Sequence, residues 1–242
     1  MATVIVDMAG FDTRFQVPSN LLAVGPTSCG KTTWLAQLIE NKDQFFTTKP
    51  KSLFIFYKEW QKKYEDMGKM MRGGGAKFRI NNETFFKYSS VPDSIEEIKD
   101  ILEQVPRHQP KIVVFDDYLD DINSVMTHFF TVLTHHYNCF TVFLCQNLFN
   151  AKNDLRTLSI NTQYMVLFNN PRDKSAVTHL SKQIFPGKNN TLNKAYQLAT
   201  AEKPYGYLLL DFHQKQRDKI RLRSHIFPHE KPMRAYISSS LI

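Results

Sequence analysis

One short stretch combines glycine, lysine and threonine in a spacing suited to binding phosphate. Residues 25 to 33 are GPTSCGKTT, which matches the pattern G-x-x-x-x-G-K-[ST] in full. Glycines let the backbone curl so that its N–H groups converge on phosphate oxygens, and a following helix points its positive N-terminus at the same anion. We expect Lys31 to reach the terminal phosphates and Thr32 to ligate Mg²⁺. The predicted nucleotide contacts are Gly25, Pro26, Thr27, Ser28, Cys29, Gly30, Lys31, Thr32 and Thr33.

Two carboxylates follow an apolar run further along the chain. The segment KIVVFDD ends in Asp116 and Asp117. A buried strand delivers such residues to the edge where ligands bind in open α/β sheets. We expect Asp116 to hold Mg²⁺ through water and Asp117 to polarise the attacking water. Many ATPases carry glutamate at the position of Asp117, and aspartate has a shorter reach by one methylene. A polar turn without metal is the alternative, and Asp120 and Asp121 are expected to cap the next helix.

An amide and two arginines extend the predicted catalytic set. Gln146 follows the apolar run FTVFLC, on a strand expected beside the one that carries Asp116, where it could bond the terminal phosphate or the lytic water. Arg156, expected in the loop after that strand, could stabilise the transferring phosphoryl group in a neighbouring subunit. Arg172 is the competing candidate. A solvent-facing amide and surface arginines remain the alternatives.

The charge balance indicates a polyanionic partner. The formal net charge of +8 favours nucleic acid, although a merely soluble basic protein would share it. Two segments could contact DNA: residues 69–79, with a triple glycine typical of a mobile loop, and an alternating basic run that would share one face if extended. A flexible hairpin and a solvated edge are the alternatives. The basic run comprises Lys215, Arg217, Lys219, Arg221 and Arg223.

Apolar runs alternate with helical patterns along the chain. This alternation predicts an α/β fold with a mostly parallel sheet, helices on both faces and a C-terminal β-hairpin. We expect one domain over residues 1–242, with an N-terminal extension (1–14) and a C-terminal tail (229–242). Neither a membrane span nor a secretory signal is expected, and the three cysteines fit a reduced, intracellular setting. Strands are predicted at 21–24, 52–57, 112–115, 139–144, 164–168, 205–212 and 220–227, and helices at 31–40, 94–105, 122–136 and 173–185.

The order of these motifs resembles the FtsK–HerA class of genome-packaging ATPases. The phosphate loop, the DD strand end and a strand ending in QN are followed by RTLSIN, QYMVLFNNPRDK and PYGYLLLDF. The resemblance covers about residues 15 to 228 and is most specific over 146–174. Within this class the sequence most resembles the packaging ATPases of Polinton and adintovirus elements, and it resembles the poxvirus-type enzymes more distantly.

The resemblance implies a RecA/ASCE-like P-loop NTPase that hydrolyses ATP with Mg²⁺. It implies a pentameric or hexameric ring around double-stranded DNA, a capsid or portal partner, and a host nucleus, a cytoplasmic viral factory or the virion as location. Lys31 and Thr32 would hold phosphate and metal, Asp116 Mg²⁺, and Asp117 would be the catalytic acid. Gln146 would be the sensor and Arg156 the arginine finger.

Two other functions share the phosphate loop. A nucleotide or small-molecule kinase would use the same cradle, but we find no arginine-rich lid over a second substrate. A nucleotide-gated scaffold would bind ATP and turn over little. Retention of ATP binding after loss of hydrolysis in an Asp117 variant would separate a motor from such a scaffold.

Overall fold

The computed structural model describes residues 2–4, 11–72, 85–118, 122–147, 153–186, 190–230 and 232–237. The strands are β1 (Ala2–Val4), β2 (Ser19–Val24), β3 (Ser52–Tyr57), β4 (Phe85–Tyr88), β5 (Lys111–Asp116), β6 (Cys139–Cys145), β7 (Tyr164–Phe168), β8 (Tyr207–Asp211), β9 (Leu222–Ser224) and β10 (Arg234–Ile237). These ten strands of the described residues form one sheet in the order β1-β10-β9-β8-β7-β2-β6-β5-β3-β4.

Helices connect most of the strands. Each parallel connection needs a crossover, which a helix supplies. The helices are α1 (Lys31–Glu40), α2 (Lys42–Phe45), α3 (Lys62–Arg72), α4 (Ile95–Leu102), α5 (Ser124–His128), α6 (Thr134–His136), α7 (Asn153–Ile160), α8 (Ser175–Ile184) and α9 (Asn190–Ala201), with a π-helical turn (Phe129–Leu133) between α5 and α6. None of those formed by the described residues is long and apolar enough to cross a lipid bilayer.

The strands that position the site run parallel to one another. β2 pairs with β6 on one side and β7 on the other, β6 pairs with β5, and β5 with β3, all in parallel. The C-terminal ends of β2, β6 and β5 therefore meet at one edge of the sheet. The prediction that the Gln146 strand neighbours the Asp116 strand is confirmed.

Two layers of helices explain why the strands are apolar throughout. Leu22 and Val24 of β2 belong to one hydrophobic cluster, which also contains residues of α4, α5, α7, α8 and α9. Leu21 and Ala23 belong to the other, with residues of α1 and α3. Alternate side chains of a strand point to opposite faces, so a sheet covered on both faces needs continuous apolar runs. The predicted α/β fold with helices on both faces is confirmed.

Three of the predicted elements have the bounds that the structure shows. α1, β3 and β7 begin and end at the predicted residues, whereas α3, α9 and β4 were not predicted. Arg156 lies in α7, so its placement in a loop is wrong. Asp120 and Asp121 lie outside the described residues, and the Asn123 side chain accepts a hydrogen bond from the Met126 amide at 2.9 Å as the N-cap of α5.

The C-terminal hairpin is confirmed, and the sheet continues beyond it. β8 is antiparallel to both β7 and β9, with strands shorter than predicted. β10 then pairs with β9, and β1 pairs with β10. Segments predicted as a terminal extension and a tail thus each contribute a strand to the sheet, with β1 at its edge.

The structure contradicts the prediction of one basic face along the hairpin. The residues between β8 and β9 form turns and a 3₁₀ helix, so they are not extended. Lys215, Arg217 and Lys219 are exposed, but Arg223 is 0% exposed and its Nη2 donates to Asp211 Oδ2 at 2.8 Å. Arg221 donates to two backbone carbonyl oxygens. The last two arginines therefore stabilise the hairpin, and of the five only the first three face solvent.

We expect Arg223→Met to destabilise the fold by about 3–5 kcal/mol, because it leaves the carboxylate of Asp211 buried without its charged partner. Urea unfolding measures this loss. Lys215→Met, at an exposed position of the same connection, should change stability by less than about 0.5 kcal/mol. Replacing Asp211 by leucine in the Arg223→Met background should recover part of the loss. A cost for Arg223→Met no larger than that for Lys215→Met would contradict a stabilising ion pair.

Candidate functional site

The phosphate loop connects β2 to α1 through a backbone that requires glycine. Gly30, the N-cap of α1, has φ 103°, and Ser28 has φ 63°. A Cβ on Gly25 would lie 2.7 Å from Phe168 Cβ and from Cys29 Sγ. Left-handed residues and close approaches of this kind form a concave set of N–H groups in front of a helix N-terminus. The loop therefore has the geometry of an anion site.

Lys31 places its ammonium group across this loop. Its Nζ donates to the carbonyl oxygens of Gly25 at 2.6 Å and Pro26 at 2.9 Å. Thr32 follows on the first turn of α1, which carries no acidic residue, and Thr33 receives a hydrogen bond from Lys63 of α3. The helix end is thus positively charged, as a triphosphate requires.

Asp116 ends β5 in a nearly buried position. Its side chain is 7% exposed, and the Tyr64 hydroxyl donates to its Oδ2 at 2.6 Å. Burial raises the pKa of the Asp116 carboxyl above its ordinary value, although the Tyr64 bond and the Lys31 charge act to lower it. A carboxylate at this strand end offers the oxygen ligands that Mg²⁺ prefers.

Asp117 and Gln146 meet on the exposed side of the same edge. Asp117 has φ 67°, in the left-handed region that residues other than glycine seldom adopt. Gln146 follows β6 directly, and its Nε2 donates to Asp117 Oδ1 at 3.2 Å. Both side chains are exposed. The pair therefore has the position and the polar atoms needed to orient a water molecule.

A cavity of about 950 Å³ joins these groups. Lys31, Asp116, Asp117 and Gln146 all line it, so the structure brings together four of the residues predicted from the sequence. Thr27, Ser28, Gly30, Thr32 and Thr33 also line it, whereas Gly25, Pro26 and Cys29 are not among its lining residues. The volume is at the upper end of the usual range for small-molecule sites.

The two arginine candidates lie away from this cavity. Arg156 is exposed on α7, and Arg172 is exposed in the turn that precedes α8. Neither is among the residues that line the cavity. Neither therefore lines the phosphate site of its own subunit, so a catalytic role for either arginine would require a subunit interface.

The sequence matches no protein-family model and none of the curated protein sequences. Similar solved structures include two of the genome packaging NTPase B204 from Sulfolobus turreted icosahedral virus 2, one in complex with ATP-gammaS and one in complex with sulfate. Their TM-scores are 0.53 and 0.51, each at 10% sequence identity. The likeness covers 82% of this chain and 95% and 94% of the respective B204 chains. At this identity, the likeness bears on the fold alone.

The chain has a P-loop NTPase fold. The strand that carries Gln146 separates the phosphate-loop strand from the strand that carries Asp116, which is the RecA/ASCE-like arrangement.

Several residues that line or contact this site were missed in the sequence. Tyr64 and Lys63 belong to α3, whose buried residues Tyr64, Met67 and Met71 recur at helical spacing. That spacing could have revealed the helix, but not that Tyr64 reaches Asp116 from a point 52 residues away in the chain. Tyr205 was assigned to a strand, but it lies in the turn before β8 and lines the cavity.

We expect Asp116→Asn to unfold at an equal or higher temperature than the wild type near neutral pH, without ligand. Because burial raises the pKa of Asp116 above 3.8, the folded state favours the protonated carboxyl. Protonation of Asp116 therefore stabilises the folded state fully below the ordinary pKa of an aspartate, and this stabilisation is lost as pH rises through the raised pKa of the folded state. At neutral pH the ionised carboxylate thus lowers the free energy of unfolding. Asparagine removes that charge and still has a side-chain oxygen that can accept the hydrogen bond of the Tyr64 hydroxyl.

The same Asp116→Asn variant should lose the additional stabilisation that Mg²⁺ gives to the ATP-bound protein. Differential scanning fluorimetry with ATP, with and without Mg²⁺, measures both effects. Asp93→Asn is the matched control because Asp93 is exposed and does not line the cavity. A lower melting temperature of ligand-free Asp116→Asn, or an intact Mg²⁺ effect, would contradict the assignment.

Proposed function

We propose that this protein is an ATP-hydrolysing motor that moves double-stranded DNA. The observation that carries the proposal is the single cavity in which Lys31, Asp116 and the Asp117–Gln146 pair meet beside the N-terminus of α1. Each group serves a different part of one reaction, and P-loop enzymes catalyse phosphoryl transfer mainly by such positioning.

Binding of the triphosphate rests on the loop and on α1. The backbone N–H groups of the loop and the Lys31 ammonium would hold the phosphate oxygens, at a helix end with no competing acidic residue. Thr32 and Asp116 offer the hydroxyl and carboxylate oxygens that Mg²⁺ prefers, so the residues fit this ion. When bound, Mg²⁺ neutralises charge that develops on the phosphates.

Hydrolysis rests on the exposed pair at the tips of β5 and β6. Asp117 would accept a proton from the attacking water, and its bond to Gln146 keeps the carboxylate fixed against the cavity. Gln146 would act as a sensor by forming a hydrogen bond with the terminal phosphate. Asp116 lies deeper in the cavity and is hydrogen-bonded to Tyr64, so it would ligate the metal and not the attacking water.

Genome packaging is the finer part of the proposal. The fold is shared with a genome packaging NTPase, and the net charge of +8 suits a polyanionic track. We assign the chain to the FtsK–HerA class, in a pentameric or hexameric ring that delivers viral DNA through a capsid or portal vertex, in a host nucleus or cytoplasmic viral factory. Lys215, Arg217 and Lys219 remain candidate phosphate contacts, whereas residues 73–79 of the other predicted DNA loop lie outside the described residues.

We expect Mg²⁺-dependent ATP hydrolysis that long duplex DNA stimulates, with little sequence preference and steep salt dependence. Asp117→Asn should lower the rate at least about 100-fold and retain ATP binding, because the proton acceptor is lost while the phosphate cradle remains. Asp93→Asn is the matched control, and a phosphate-release assay with parallel calorimetry measures both quantities.

Three results would contradict the motor. Transfer of phosphate to a nucleoside instead of water would indicate a kinase. ATP binding without turnover, in the presence of DNA, would indicate a nucleotide-gated scaffold. Hydrolysis that is unchanged in Asp117→Asn would remove that residue from the reaction.

Arg156 has a separate test because its role depends on a second subunit. Arg156→Ala alone should lower turnover by about 100-fold or more, since a finger stabilises the transition-state charge. Mixing Arg156→Ala with Lys31→Ala subunits should restore part of the activity, because some interfaces then combine an intact arginine with an intact lysine. Arg172→Ala mixed in the same way is the comparison. No recovery in mixed rings that demonstrably assemble would reject Arg156.

A further inference from the structure

The cavity continues past the phosphate loop to a second end. On one side of α1, Thr33 receives a hydrogen bond from α3. On the other side, the Trp34 ring packs against Tyr207 and Phe227, with centroids 6.0 and 5.6 Å apart. At this second end the cavity is lined by Trp34, Lys203, Tyr205, Tyr207, His229 and Glu230.

Tyr205 is the aromatic side chain that this end presents to solvent. It is 65% exposed, which is unusual for a large ring beside a binding cavity. Its position is nevertheless fixed against the phosphate loop, because a Cβ on Gly30 would lie 3.4 Å from Tyr205 Cβ and 3.5 Å from its Cδ1. One edge of the residue therefore packs on the loop while most of its surface stays accessible.

The opposite wall of this end is held by its own hydrogen bonds. The Tyr207 hydroxyl donates to Glu230 Oε2 at 2.6 Å, and the Phe227 amide donates to the same oxygen at 3.3 Å. The His229 ring stacks on Phe227 with 5° between the planes. The 3₁₀ turn Pro228–Glu230 is thereby fixed in place, so the second end has two ordered walls.

The direction of a bound nucleotide follows from the first end. Asp117 and Gln146 mark the position of the terminal phosphate, at the tips of β5 and β6. The base must then lie at the far end of the phosphate chain, beyond the loop. The cavity margin beside α3 lies on the side of Asp116, whose Oδ2 accepts a hydrogen bond from Tyr64 of α3, so it belongs to the terminal-phosphate end of the cavity. Tyr205 offers an aromatic face on the other side.

We propose that Tyr205 is the stacking surface for the base of a purine nucleoside triphosphate. This inference rests on the proposed nucleotide-hydrolysing function and deepens it. A planar base gains stacking energy on an aromatic ring, and the two fused rings of a purine cover more of that ring than a pyrimidine does. The wall formed by His229 and Glu230 would limit how far the base can slide.

The test compares ATP with inorganic tripolyphosphate, each with Mg²⁺, by isothermal titration calorimetry. We expect Tyr205→Ala to weaken ATP binding about tenfold or more and to leave tripolyphosphate binding unchanged, because only ATP carries a base. Tyr205→Phe should retain wild-type ATP affinity. CTP should lose less affinity than ATP on Tyr205→Ala. Leu198→Ala is the control, as another exposed apolar residue, on α9 and outside the cavity lining.

The outcomes separate this inference from the proposed function. Equal weakening of ATP and tripolyphosphate by Tyr205→Ala would show that Tyr205 only supports the loop, and unchanged ATP affinity would show that it does not meet the base. Either result overturns the stacking role and leaves the motor standing. If the wild type binds neither ligand, or Lys31→Ala weakens neither, the proposed function fails and the inference fails with it.

Discussion

The parallel pairing of β2, β6 and β5 is the constraint on which the site depends. Their hydrogen-bonded register places Val24 opposite Cys145, and Leu144 opposite Asp116, so three strands end at one level. The phosphate loop and the carboxylates then meet without any long side chain having to bridge a gap. A shift of one strand by one residue would exchange its side chains between the two helical layers and disrupt their packing.

The two carboxylates of the site differ because their surroundings differ. Asp116 is nearly buried and accepts a hydrogen bond from Tyr64, and burial raises its pKa. Asp117 is exposed, has a left-handed backbone conformation and accepts a hydrogen bond from Gln146. Adjacent residues of a strand end would thus face the proposed metal position and the proposed water position. A buried carboxylate and a strained backbone angle both destabilise the folded state. Their occurrence at one edge of the sheet is typical of a functional site.

The antiparallel strands complete the cavity rather than merely widening the sheet. β8 brings Tyr207 and the turn before it beside α1, and the segment after β9 returns to cover the same helix. The Asp211–Arg223 pair, buried at the far end of this hairpin, fixes the pairing of β8 with β9. A hairpin stabilised away from the site can therefore hold the walls of this end of the cavity.

The sequence by itself determined the elements whose signals are local. The glycines and lysine of the phosphate loop, the apolar runs and the acids at strand ends follow from short-range patterns, and Lys31, Asp116, Asp117 and Gln146 were found this way. Only the tertiary structure decided that Tyr64 bonds Asp116, that Arg223 is buried against Asp211 and that Tyr205 stands beside Gly30. These contacts join residues distant in the chain, and no periodicity or spacing encodes which side chains a folded sheet brings together.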